Sequence, residues 1–272
     1  MYSLVPHAPY ADGPADFAIG LRPIAPAAWL EGGEADPAAR KDALFAQAPA
    51  LVWGEIEGSG PGQAEVLELV RAAGAAAPDD ARPPLLTASR AVADDLCLME
   101  KRDGVWRLAA LSLCAPSFFT AKHAIGKSIA ELHGPVPGFA ERFQKRVERV
   151  FDGLRPELML ERRNWSVINT DDLYTPDPAP YRARIGEITP LEAGRSVFVR
   201  MERQTLRRLP RTGGVLFTIR VWRHPLEDLD RDPARLKAFA VAWRTVTADF
   251  RAYKKLHLFD ELVGGFLRAR GE

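Results

Sequence analysis

The stretch 199-VRMERQTLRRLPRTGGVLFTIR-220 decides the fold. Extended outward to Ser196 and Leu226, it reads as two strand-like runs joined at Thr212-Gly213-Gly214, where glycine permits the backbone conformations a tight turn needs. Alternation through Val215, Phe217 and Ile219 predicts a half-buried strand. Residues 200–223 carry seven arginines and a single acid, Glu202. Most basic runs are solvated strand faces. The sharper readings are a docking surface for an acidic partner, or arginines paired with cofactor carboxylates. Nucleic acid is a poor third, because no regular set of stacking aromatics accompanies the arginines. A lone carboxylate among arginines reads as a salt bridge, or, in a pocket, as the anchor for a cationic amine.

A second hairpin lies upstream. DLCLMEK and VWRLAALSLCAPS, from 95 to 117, flank Asp103-Gly104, a strong two-residue turn signal. Between the hairpins, 131-ELHGPVPGF-139 sets His133 before a turn stiffened by two prolines. Then FAERFQKRVERVFDGL places Phe139, Phe143, Val147, Val150 and Leu154 at helical spacing, and ERRNWSVIN reads as a strand. DDLYTPDPAPYRARIG reads as a Pro-rich loop. The segment 233–256 predicts one long amphipathic helix. Residues 1–80, rich in Ala, Pro and Gly, predict short helices from Asp36-Pro37 and around Val66, Leu69 and Val70. The expected architecture is α+β, an antiparallel sheet with flanking helices. Residues 1–80 form an extension on a main domain of 81–272.

Composition narrows the function classes. Of 272 residues 47% are apolar and 27% charged, and the net charge is +1. That balance carries no global attraction to nucleic acid or an anionic membrane. No basic-then-apolar leader opens the chain, and no apolar run approaches the ~20 residues of a membrane span. Cys97 and Cys114, both in apolar text, read as buried thiols of a reducing compartment, so a cytoplasmic protein is expected. Phosphate-cradling glycine loops, a nucleophile elbow, CxxC and HExxH are all missing. Five scattered histidines leave cofactors that need one protein ligand, with haem the leading case. His133 has the best local context. His123 and His224 are the alternatives, and an ordinary loop histidine is the bland reading of each.

Several of these stretches resemble one family. PSFF followed five residues later by IGKSIAELHGPVPGF, the RRNWSVIN strand, and above all VRMERQTLRRLPRTGGVLFTIR are similar to the haem-dependent oxidative N-demethylases, the haem-binding alpha subunit of a dimethylamine-type monooxygenase. GLRPI near residue 20 fits more weakly. The resemblance implies a haem-binding PAS-like fold and haem b iron held by His133. It implies O2-dependent removal of a methyl group from a small methylated amine as formaldehyde. Electrons would come from a separate reductase carrying flavin, an iron–sulfur centre and NADPH. It further implies Glu202 as substrate anchor, Arg203 and Arg220 as propionate partners, and Asn164 and Trp165 as pocket lining. Phe119 and Ala124 depart from the family's tryptophan and lysine, which bears on substrate identity. A non-catalytic haem-PAS gas sensor is the other reading of the same resemblance.

Overall fold

Both hairpins form. The turn of the upstream one is set by backbone chemistry: Asp103 (φ 52°) and Gly104 (φ 79°) adopt the left-handed pair of a two-residue hairpin turn. The computed structural model describes residues 6–13 and 16–272. Seven strands make one sheet: β1 (Arg22–Ile24), β2 (Trp53–Glu55), β3 (Asp95–Arg102), β4 (Val105–Ser112), β5 (Met159–Ile168), β6 (Phe198–Arg208) and β7 (Val215–Pro225). Their order is β1-β5-β6-β7-β3-β4-β2, antiparallel throughout. The architecture is α+β, as expected. Both outermost strands come from the first 80 residues, so that region is paired into the sheet.

Register assigns every side chain to a face, because directly opposed residues project to the same side. Asn164 opposes Glu202, which opposes Val221. Arg162 opposes Gln204, which opposes Ile219, which opposes Asp95. These residues share the first face. Their chain neighbours Trp165, Met201, Arg203 and Arg220 fall on the second.

The second face is covered over most of its area, with Arg163, Arg207 and Trp222 partly exposed. At one end, Tyr10, Trp165, Met201, Phe239 and Trp243 form a buried cluster under the helix Pro233–Thr245, with Tyr10 edge-on to both Trp165 and Phe239. At the other, Leu96, Leu98 and Leu216 pack with Trp29, Val66, Val70 and Leu85. The first face is covered only in part. Cys97, Leu111 and Leu206 pack under Ala121, Ile129, Phe139 and Phe151, whereas Leu160, Phe217 and Ile219 remain partly buried.

Two helices differ from expectation. The segment 233–256 breaks at Val246 and Thr247, both extended, and restarts as Ala248–Tyr253 with the Thr247 hydroxyl accepting from the Phe250 N–H. Threonine competes well for such a cap, which the apolar periodicity does not reveal. The helix ending at Gly153 opens with a wide π turn over Ala140–Gln144.

Trp165, expected in the pocket beside Asn164, is instead a core residue of the second face, 3% exposed. Trp165→Ala is expected to cost about 3–5 kcal/mol, as for large aromatics removed from a core. Urea unfolding measures it, and no accompanying change in ligand binding at the first face is expected.

Candidate active site on the open face of the sheet

Glu202 sits mid-strand on β6 and is 9% exposed. Its Oε1 accepts from Arg200 Nη1 (2.8 Å) and Ser117 Oγ (2.8 Å). Its Oε2 accepts from Gln204 Nε2 (3.1 Å) and Asn164 Nδ2 (3.2 Å). Arg200, Glu202 and Gln204 are alternate residues of one strand, and Asn164 is the direct cross-strand neighbour, so β-sheet periodicity alone gathers three of these four donors.

Ser117 arrives by another route. Asp95 is buried at the start of β3, and its carboxylate accepts from the Cys114 and Ala115 N–H groups at 2.7 and 2.8 Å. Arg200 Nη2 donates to the Ala115 and Pro116 carbonyls, and Thr175 Oγ1 also donates to Pro116. The loop after β4 is therefore fastened from both sides. Phe118 takes a left-handed conformation (φ 62°), a position worth about 1–3 kcal/mol of strain for such a residue. That kink leaves Ser117 on Glu202 and Phe118 exposed at the rim.

Burial alone would raise the Glu202 carboxyl. The Arg200 charge, the Lys254 charge and the hydrogen bonds from Ser117 and Asn164 outweigh it and hold the group at about 2. Lys254 follows the helix Ala248–Tyr253, half-buried against the Phe250 and Tyr253 rings at 5.9 and 5.7 Å. Burial depresses its ammonium, against the pull of Glu202. Arg162 is likewise lowered by burial and drawn up by Glu202. Its Nε is shielded from solvent with no partner, and the guanidinium makes no hydrogen bond among the described residues.

His133 closes the short helix Ile129–Leu132, which Ser128 and Glu131 cap reciprocally. Its Nδ1–H donates to the Ile129 carbonyl at 2.8 Å. A carbonyl can only accept, so this bond fixes the tautomer and leaves the Nε2 lone pair for a ligand. The ring stacks on Phe139, centroids 4.4 Å apart and 8° from parallel. Burial lowers the imidazole, and the Arg162 charge lowers it further. His133 and Glu202 thus share Arg162 as a neighbour on the first face.

The other expected residues lie elsewhere. Arg203 and Arg220, expected to pair with propionates, are on the second face. Arg203 is held by Glu161, by Glu31 at 3.2 Å and by the Trp29 carbonyl at 2.7 Å. Arg220 meets Glu34 and the Gly32 carbonyl at 3.4 Å. Both tether the segment from Ala28 to Glu34 across the sheet. His224 is fully buried on that same second face, donating to the Pro225 carbonyl, while His123 is exposed beside Thr120. Sequence reasoning does not find Arg162, Arg200, Gln204, Ser117 or Lys254. Strand parity with Glu202 is a usable signal for Arg200 and Gln204, and none exists for Lys254. A groove of about 540 Å³ between Gly20-Leu21 and the helix bearing Arg146 and Arg149 involves none of this shell.

A family description, haem-dependent oxidative N-demethylase, alpha subunit-like, matches residues 59–263. The chain belongs to that family. The matched span holds His133, Arg162 and the entire Glu202 shell, together with five of the seven strands. For a haem-dependent demethylase-like chain the residues present fit the cofactor. His133 offers one oriented nitrogen. Leu160, Phe217 and Ile219 of the sheet, with Phe119, Leu132 and Val136 opposite, are apolar side chains buried only in part. Arg162 supplies an unbonded cation for an acidic cofactor edge. No helix among the described residues is long and apolar enough to cross a membrane.

Glu202→Gln is expected to destabilise the protein by about 3–5 kcal/mol at pH 7, because Arg200 is left buried without its counter-charge. A carboxyl depressed in the folded state stabilises above its unfolded value and loses that contribution as pH falls through the folded value. The gap between wild type and variant therefore closes between about pH 4.5 and pH 2, followed by denaturant unfolding at each pH.

Proposed function

We propose that this chain is a PAS-like haem-binding subunit that removes a methyl group from an amine, using O2 and electrons from a separate reductase. The observation that carries the reading is His133. It is a half-buried, neutral-leaning imidazole whose Nδ1–H is tied to a backbone carbonyl, at the edge of an incompletely covered apolar sheet face.

His133 Nε2 would hold the iron, and Arg162 would pair with a propionate in place of the expected Arg203 and Arg220. When bound, haem supplies the activation of O2. The chain's own residues orient the amine and keep water from the reacting carbon. Glu202 acts mainly as an organiser. Its acceptor positions are filled by four donors, so it fixes Asn164, Gln204 and Ser117 in place. Asn164 Oδ1, buried with no donor, is the acceptor of this shell that remains for a substrate N–H. One methyl group, one O2, two electrons and two protons yield formaldehyde, water and the shorter amine. The electron donor is a reductase carrying flavin and an iron–sulfur centre and fed by NADPH. Membership in a demethylase-like family gives the gas-sensor reading no support.

Reconstitution with haemin tests the assignment. The wild type is expected to give a sharp Soret band, and His133→Ala to lose or shift it. Arg162→Gln is expected to keep the band but release haem to apomyoglobin roughly tenfold faster, about the worth of one charge-assisted hydrogen bond. Formaldehyde release from N-methyl amines in the presence of a reductant completes the test. A wild type that takes up no haem sinks the reading.

A further inference from the structure

On the second face, a cleft of about 330 Å³ opens beside Arg207. Arg207 and Met159, directly opposed on β6 and β5, line its sheet side. Trp29 and Leu30 line it from the N-terminal segment, and Leu69 and Ala72 from the helix Gly60–Ala72. Apart from Arg207, every side chain that lines it is apolar. The volume falls at the small end of the range for ligand sites, roughly 300–1,000 Å³.

Arg207 makes no hydrogen bond or ion pair among the described residues. Its guanidinium lies over the Trp29 ring, 4.4 Å from the centroid, and its Nε–H has no acceptor. The Trp29 indole N–H is likewise buried without one. Burial shifts the Arg207 guanidinium down, and no carboxylate acts against it. The acids of the packed elements have other partners. Glu161 on β5 accepts from Arg203 and Arg22 and pairs with Arg163 at 2.9 Å. Glu31 is held by His7 and Arg203, and Glu34 by Arg40. On the helix, Glu65 accepts from the Arg211 and Thr212 N–H groups, and Glu68 accepts from Arg211 Nη2. Glu202, the acid of β6, faces the other way.

Buried donors without acceptors are rare in folded proteins, because each costs the desolvation of a polar group. Two of them beside one apolar cleft call for an acceptor with an apolar body. Arginine's planar fork matches the two oxygens of a carboxylate. We propose that this cleft binds a small aliphatic carboxylic acid, with its carboxylate on Arg207 and its chain along Leu30, Leu69 and Met159. A chain fits better than a ring, since the aromatic face in the lining, that of Trp29, is covered by Arg207. The site is separate from the Glu202 shell. Arg207 and Glu202 stand an odd number of positions apart on β6 and project from opposite faces, so binding here depends neither on haem nor on the demethylase reading.

Calorimetric titration of the purified full chain with octanoate, 1-octanol and acetate at neutral pH tests this. Octanoate is expected to bind about tenfold or more tightly than either of the others, because it alone has both the charge and the chain. Arg207→Gln should weaken octanoate by about tenfold or more. Ala72→Trp, which narrows the cleft from an exposed helix position, should weaken it comparably with Arg207 still in place. Circular dichroism checks that both variants fold, and the tryptophan variant keeps the test usable if the glutamine variant does not. Octanol binding as tightly as octanoate would overturn the charge contact, and acetate binding as tightly would overturn the apolar one. A wild type that binds no octanoate, or a folded variant of either kind that keeps full affinity, overturns the site.

Discussion

The buried pair of Arg200 and Glu202 is the interaction on which the open face depends. Each partner would be costly alone, since neither charge is hydrated. Together they join three elements that are distant in sequence. Glu202 takes donors from β5 and from the loop after β4, while Arg200 holds that loop's carbonyls. The loop is also pinned by Asp95 from below, so its kink at Phe118 persists against backbone strain. A hydrophobic filling would give comparable stability. It would not fix the polar atoms at defined positions, which is what a substrate site requires.

The two faces of the sheet divide stability from chemistry. The second face carries the large aromatic cluster around Trp165 and Phe239, and a second cluster around Trp29, Val66 and Leu85. Aromatic side chains of this size each bury about 150–250 Å², so they supply much of the driving force for folding. With most of that face covered, the first face can leave Phe217 and Ile219 half-covered beneath the His133 turn. Arginine serves both sides. On the second face Arg203 and Arg220 hold the N-terminal segment; on the first, Arg200 holds Glu202 and the loop after β4.

Much of the architecture is legible in local pattern. The two hairpins follow from Asp103-Gly104 and Gly213-Gly214 with period-2 apolar runs on either side, and the stop-and-turn after Leu132 follows from its prolines. His133 stands out by local context, and the fold gives it an oriented ring. The helix from 233 is shorter than its pattern suggests, because apolar spacing continues through Val246 while Thr247 caps a new helix. Arg203 and Trp165 adjoin Glu202 and Asn164 in sequence, and Arg220 adjoins Val221, the cross-strand partner of Glu202. An offset of one residue along a strand sends a side chain to the other face, so all three lie on the face opposite Glu202. The alternation that separates them is itself written in the sequence.

The sequence by itself determined the elements that depend on near neighbours: turns, strand alternation, helix faces, and which residues are chemically capable of holding iron or a charge. It also determined that Glu202 and Asn164 would share a face if their strands paired in this register. Only the tertiary structure decided that they do pair, that Ser117 reaches Glu202 over a span of 85 residues, and that Lys254 adds its charge from the far end of the chain. Those contacts depend on register and on loop closure between distant segments. Their energies are set by burial, a property no residue has until the whole sheet is assembled.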